Sequence, residues 1–187
     1  MSLRPVRVLG DPILRRRAEP IRAITDEVRR LADDMYETMY AARGIGLAAP
    51  QVGVAQRLFV TDVDGAKFVM INPEIVRVEG PMETGEEGCL SIPEIMGDVK
   101  RPASVVMSAL DLEGERIEVP ATAMLARCFQ HELDHLDGRL FIDRLSFLKR
   151  RRALAEWEQY EKDFPGFVRI LTPGDPGDPD RGHSEEL

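Results

Sequence analysis

Met124-Leu125-Ala126-Arg127-Cys128-Phe129-Gln130-His131-Glu132-Leu133-Asp134-His135-Leu136-Asp137-Gly138 is the stretch on which the reading of the chain turns. Met124, Leu125, Cys128, Phe129, Leu133 and Leu136 recur at helical spacing after Pro120, and Gly138 stops the run, which predicts a helix. Inside it stands His131-Glu132-Leu133-Asp134-His135. At about 100° per residue, positions i and i+4 differ by about 40°, so both imidazoles point one way, one turn apart. That is the reach needed to grip one metal ion. Glu132 lies one residue off the stripe, placed to touch a water at the metal rather than the metal itself. A solvated face carrying two histidines is the plainer alternative. The chain has only three histidines, however, and two of them flank a glutamate inside an apolar-periodic helix, which favours the metal.

A third ligand is then required. Cys128 lies on the same stripe, but residues 128 and 135 are about 10.5 Å apart along a helix axis at a rise of about 1.5 Å per residue. Three ligands strung along one helix do not converge on a tetrahedral ion, so Cys128 reads as a small buried residue beside the site. Cys89, in Glu86-Glu87-Gly88-Cys89-Leu90-Ser91, arrives from a different element and could close the tetrahedron from the side. Glu87 is a second candidate, as in ordinary HExxH peptidases. Spacing leaves both open, and an ordinary buried thiol is the plain reading of Cys89.

Gly44-Ile45-Gly46-Leu47-Ala48-Ala49-Pro50-Gln51 superficially suggests a dinucleotide loop. That fingerprint needs a strand before it and a helix after it, whereas here a helix precedes and Pro50 follows. The two glycines instead let backbone approach a ligand, and Gln51 offers an amide donor suited to a developing oxyanion. Taken alone, the run would read as a tight helix-exit loop with a surface glutamine.

Further out, the first twenty-odd residues, rich in Arg and Pro, read as an extended surface arm. Thr25 is a candidate N-cap for a helix whose Val28, Leu31, Met35 and Met39 share one face and which ends near Arg43-Gly44. Ile45 to Val54 reads as a loop with some extended backbone. From Arg57 to Pro120 the texture is short β-type runs: Leu58–Thr61, Phe68–Ile71, Ile75–Val78, Val105–Met107 and Arg116–Val119, with a hairpin tip at Asp111–Glu115. The separations are too short for helical crossovers, so the sheets should be mostly antiparallel. A last helix, about 146–163, carries Ala153, Trp157, Tyr160 and Phe164 on one stripe. Its basic block, Lys149-Arg150-Arg151-Arg152, opposes the helix dipole, and a solvated face with pairs such as Glu158–Lys162 is its plain reading. The expectation is an α+β domain over residues 1–171 and a mobile Pro/Gly/Asp-rich tail over 172–187.

With 187 residues, one domain with its own core is expected. Lys plus Arg is 25 and Asp plus Glu 33, a net −8 that disfavours a protein coating DNA or RNA, though a local basic patch is compatible with it. No stretch approaches a membrane span, the N-terminus shows no apolar signal region, and two cysteines make no disulfide framework; the expected compartment is cytoplasmic.

The runs Gly44–Gln51, Glu87–Ser91 and Gln130–His135 resemble the three signature motifs of the peptide deformylase family, in family order and at family-like separations, the similarity spanning roughly Pro5 to Arg152. The resemblance implies small, mostly antiparallel sheets around a central HExxH helix, with a helix at each end. It implies an enzyme removing the formyl group from N-formylmethionyl nascent peptides. Carried over by residue, Cys89, His131 and His135 would hold the metal and Glu132 would be the general acid/base. Gln51 and the Leu90 N–H would form the oxyanion hole. Backbone around Ile45, Gly46 and Gly88 would pair with the extended peptide, and Cys128 with Ile45 would line the methionine pocket. The thiolate suits Fe(II), Zn(II), Co(II) or Ni(II), and the resemblance favours Fe(II) in the cell. It also implies docking on ribosomal RNA through Lys149, Arg150, Arg151 and Arg152. Two rivals stand against it. A zinc endopeptidase would place a third ligand downstream, where positions 139 to 145 offer no His and only Asp143 is of interest. A non-catalytic metal-binding or ribosome-associated protein would not need Glu132 and Gln51.

Overall fold

In the computed structural model, which describes residues 2–172, the β-type runs join into one five-stranded antiparallel sheet. The elements are β1 (Val6–Arg7), α1 (Asp26–Ala41), β2 (Gly46–Ala48), β3 (Leu58–Val63), β4 (Ala66–Glu87), β5 (Gly97–Leu110), β6 (Arg116–Thr122), α2 (Ala123–Leu136), α3 (Phe147–Tyr160) and β7 (Val168–Arg169). The sheet order is β2-β3-β4-β5-β6, and β1 pairs separately with β7. Antiparallel pairing fixes Gly46 opposite Thr61, Leu58 opposite Ile71, Glu87 opposite Gly97 and Ser104 opposite Thr122.

Alternation along β3 divides the core. Leu58 and Val60 face α1, where Val28, Leu31, Met35 and Met39 pack with Leu47 and Leu90. Phe59 faces α2 and meets Phe129, with ring centroids 5.8 Å apart. β5 adds Val105, Met107 and Ala109 to the α2 side, so the HExxH helix lies buried against the sheet. A third cluster joins Ala153 and Trp157 of α3 to Cys89, Ile92 and Ile95 of the loop after β4.

Several expectations change in detail. The N-terminal segment is no surface arm: Val6, Val8 and Leu14 are buried, because each reaches one of the apolar clusters. Thr25 occupies the N-cap position of α1 without a side-chain capping bond. The segment 45–54 contains β2 and a 3₁₀ turn, Ala49–Val52. Two expected strands, 68–71 and 75–78, are parts of the single strand β4. The terminal helix starts from Ser146, whose hydroxyl accepts from Lys149 N–H, and passes into a 3₁₀ turn over Glu161–Asp163. Glu158 and Lys162 form no ion pair among the described residues. The proposed tail, apart from Thr172, lies outside the described residues. Among those described, no helix is long and apolar enough to cross a membrane.

Candidate metal centre

α2 presents both histidines on its buried face, as helical geometry requires, and the loop leaving β4 brings a sulfur to them. Cys89 Sγ lies 3.2 Å from His135 Nε2, which lies 3.2 Å from His131 Nε2. The three ligand atoms all fall within 4.8 Å of one another, and all three residues are buried. One thiol and two imidazole nitrogens are a donor set of intermediate softness that suits a divalent transition ion. Cys128 is outside this group, bonded instead by Sγ to Ile45 O at 3.7 Å.

The surroundings fit the same ion. Glu87, the alternative third ligand, turns away from the centre and accepts from His131 Nδ1–H at 3.0 Å. This leaves the Nε2 lone pair of His131 facing the cluster. Glu87 is itself held by Arg101 Nε and Nη2, at 2.6 and 2.8 Å, and by Arg127 Nη1 at 2.7 Å. Arg101 Nη1 continues to Asp134 at 2.9 Å, and Arg144 closes on the same carboxylate at 2.5 and 2.6 Å. Burial alone would raise the Glu87 and Asp134 carboxyls, but the guanidiniums, with His131 at Glu87, hold both below the ordinary carboxylate range. Sequence reasoning missed Arg101, Arg127, Asp134 and Arg144. The available signal was Arg101 itself, in the inward place two residues after buried Val99.

Glu132 is fully buried, and neither carboxylate oxygen has a hydrogen-bond partner among the described residues. Burial pushes its carboxyl well up, with nearby Arg101 opposing. Burial likewise pushes the His135 imidazolium well down, which favours the neutral ring, the form in which an imidazole can ligate a metal.

Gln51 is no surface residue. It is wholly buried; Oε1 accepts from Ala48 N–H at 2.7 Å, which turns Nε2 toward Ser91 Oγ at 3.2 Å and Cys89 Sγ at 3.6 Å. Leu90 N–H makes no hydrogen bond among the described residues. Ile45 and Cys128 pack together with Val63 and Leu125, while Gly46 lies against Glu132 and Gly88 is buried between Glu87 and Cys89. Asp143 stands apart, accepting from Leu140 N–H and pairing with Arg15 and Arg150.

A profile of the polypeptide deformylase family matches residues 3–151. The peptide deformylase of Alkalilimnicola ehrlichii is 52% identical over 163 residues, covering 85% of this chain and 91% of that one. Among solved structures, the peptide deformylase of Legionella pneumophila superposes with a TM-score of 0.82 at 42% identity, covering 86% of this chain and 96% of its own. That of Ehrlichia chaffeensis, in complex with actinonin, superposes with a TM-score of 0.83 at 36% identity, covering 87% and 99%.

Proposed function

The chain belongs to the polypeptide deformylase family, enzymes that remove the formyl group from N-formylmethionyl peptides, and from that premise we propose which residues carry the reaction. Cys89, His131 and His135 would hold a divalent ion, Fe(II) in the cell with Zn(II), Ni(II) or Co(II) as substitutes, and that ion would supply a water of lowered pKa and a Lewis acid for a carbonyl oxygen. Glu132 takes a proton from the attacking water and returns it to the amine nitrogen as the C–N bond breaks, releasing formate and a free N-terminus. The observation that carries this reading is the buried carboxylate of Glu132: among the described residues no hydrogen bond commits either oxygen, which leaves both open to receive and release a proton.

Gln51 Nε2 and Leu90 N–H donate to the formyl oxygen as it becomes an oxyanion, each worth about 3 kcal/mol in comparable sites. The fixed Oε1 of Gln51 sets which end of the amide points inward. Backbone at Ile45, Gly46 and Gly88 pairs with the extended peptide, and the Ile45–Cys128 wall receives the methionine side chain. A formyl carbon bears only hydrogen, so a site this enclosed admits it and excludes larger acyl groups.

The enzyme works in the cytoplasm, on chains leaving the ribosome, as one catalytic domain ending near residue 171. Lys149, Arg150, Arg151 and Arg152 dock on ribosomal RNA. What supports this is that all four are exposed at the start of α3, beside Phe147 and Leu148, which are 77% and 75% exposed.

Glu132→Ala tests the chemistry. The variant should keep its metal and lose nearly all formate release from a formyl-Met peptide; substantial remaining turnover removes Glu132 from the mechanism. Internal cleavage of an unblocked peptide by the parent enzyme would instead favour an endopeptidase.

A further inference from the structure

We infer that Gly46 is a positioning residue whose missing side chain is the space in which the Glu132 carboxylate rests. The inference depends on the reading of Glu132 as the proton carrier. A β carbon at Gly46 would lie 2.4 Å from Glu132 Oε1, 3.0 Å from its Cδ and 2.8 Å from Cys128 Sγ. Heavy atoms do not approach so closely, so a larger residue at 46 forces something to move.

What moves is decided by what is anchored. The backbone of Gly46 is part of the β2–β3 ladder, opposite Thr61, with Leu47 opposite Val60 and Ala48 opposite Phe59 behind it. One residue earlier, Ile45 O accepts from Asp62 N–H at 2.9 Å. All of β2 is buried, which leaves it no room to retreat. α2 is fixed from its other side by Phe129 in the core and by Gln130 Nε2 donating to Pro102 O at 3.1 Å. Cys128 is a short side chain packed among Ile45, Val63 and Leu125. The tip of Glu132, by contrast, has no hydrogen bond to hold it among the described residues. The strain therefore resolves by displacing the carboxylate.

Relaxing a 2.4 Å approach to ordinary contact moves it by about 1 Å, and a misplacement of that size costs on the order of 10²-fold in rate. The two glycines of the run thus have separate steric duties, because a β carbon at Gly44 would meet Leu90 Cδ1, at 2.7 Å, rather than Glu132. This also differs from a backbone role in holding the peptide, which would act on KM.

The test is Gly46→Ala, purified as holoenzyme, with metal content, thermal melting, kcat and KM measured on one sample and a crystal structure determined. Metal content and melting should stay close to the parent's, KM within about twofold, and kcat should fall about 100-fold. The crystal should show the Glu132 carboxylate displaced while Cys89, His131 and His135 keep their places. Adding Cys128→Ala, which removes the sulfur contact but not the carboxylate contact, should leave kcat low. Parental kcat in Gly46→Ala overturns the inference, as does a raised KM at unchanged kcat. Loss of metal or of cooperative melting overturns it too, since β2 or the ligands would then be what yields. Recovery in the double variant would trace the damage to Cys128 and also overturn it. An active Glu132→Ala sinks the underlying reading instead, whereas an inactive Glu132→Ala beside a fully active Gly46→Ala sinks this inference alone.

Discussion

Arg101 is 1% exposed, yet every carboxylate it touches is also buried, so its charge is matched by direct hydrogen bonds rather than by water. Removing one member of such a network leaves the others charged and desolvated. Arg101→Met should therefore destabilise the fold by about 3 kcal/mol, read as a lower urea midpoint. Because Glu87 orients His131, metal affinity should fall as well, by roughly ten- to a hundredfold, measured by competition with a chelator. Arg101→Lys supplies a single ammonium in place of a fork and should be intermediate on both measures.

Among the elements, α2 was the most legible in sequence and β4 the least, for opposite reasons. The helix repeats one local period, so its buried face, and hence the convergence of His131 with His135, follows from spacing alone. β4 contains Asn72-Pro73 and Gly80-Pro81, which read as turns. Pairing with β5 absorbs both as irregularities: register shifts fall between Ile71 and Glu74 and between Glu79 and Met82, with Asn72 and Gly80 at positive φ. Local chemistry marks where a strand is irregular, but only its partner decides whether it stops. The choice between Cys89 and Glu87 was undecided for the same reason, since both leave the end of β4 and only tertiary packing shows which one faces α2. In α3, Lys149 pairs with Asp98 and Arg150 with Asp143, which offsets the unfavourable dipole end locally. Arg151 and Arg152 have no ion pair among the described residues. Arg151→Glu with Arg152→Glu is thus the cleaner charge reversal: ribosome cosedimentation should weaken, more so at low salt, and unchanged binding would dispose of the docking surface.

At the scale of the whole molecule, the centre ties the sheet to the helix that crosses it, so an ion bound there binds the folded chain and stabilises it by mass action. Stripping the metal with a chelator should lower the melting temperature, and returning Zn(II) or Ni(II) should restore it. If iron is the resident ion, activity should decay in air and persist under anaerobic handling, whereas the nickel form should be indifferent. An unchanged melting temperature after stripping would mean that the three side chains hold nothing of consequence.

Cys89 and His135 stand 46 residues apart in sequence and 3.2 Å apart in space. During synthesis the thiol is made before either ring, and the three side chains cannot close around an ion until the loop after β4 and the helix α2 have come together. Until then the growing chain carries ligand side chains but no assembled centre.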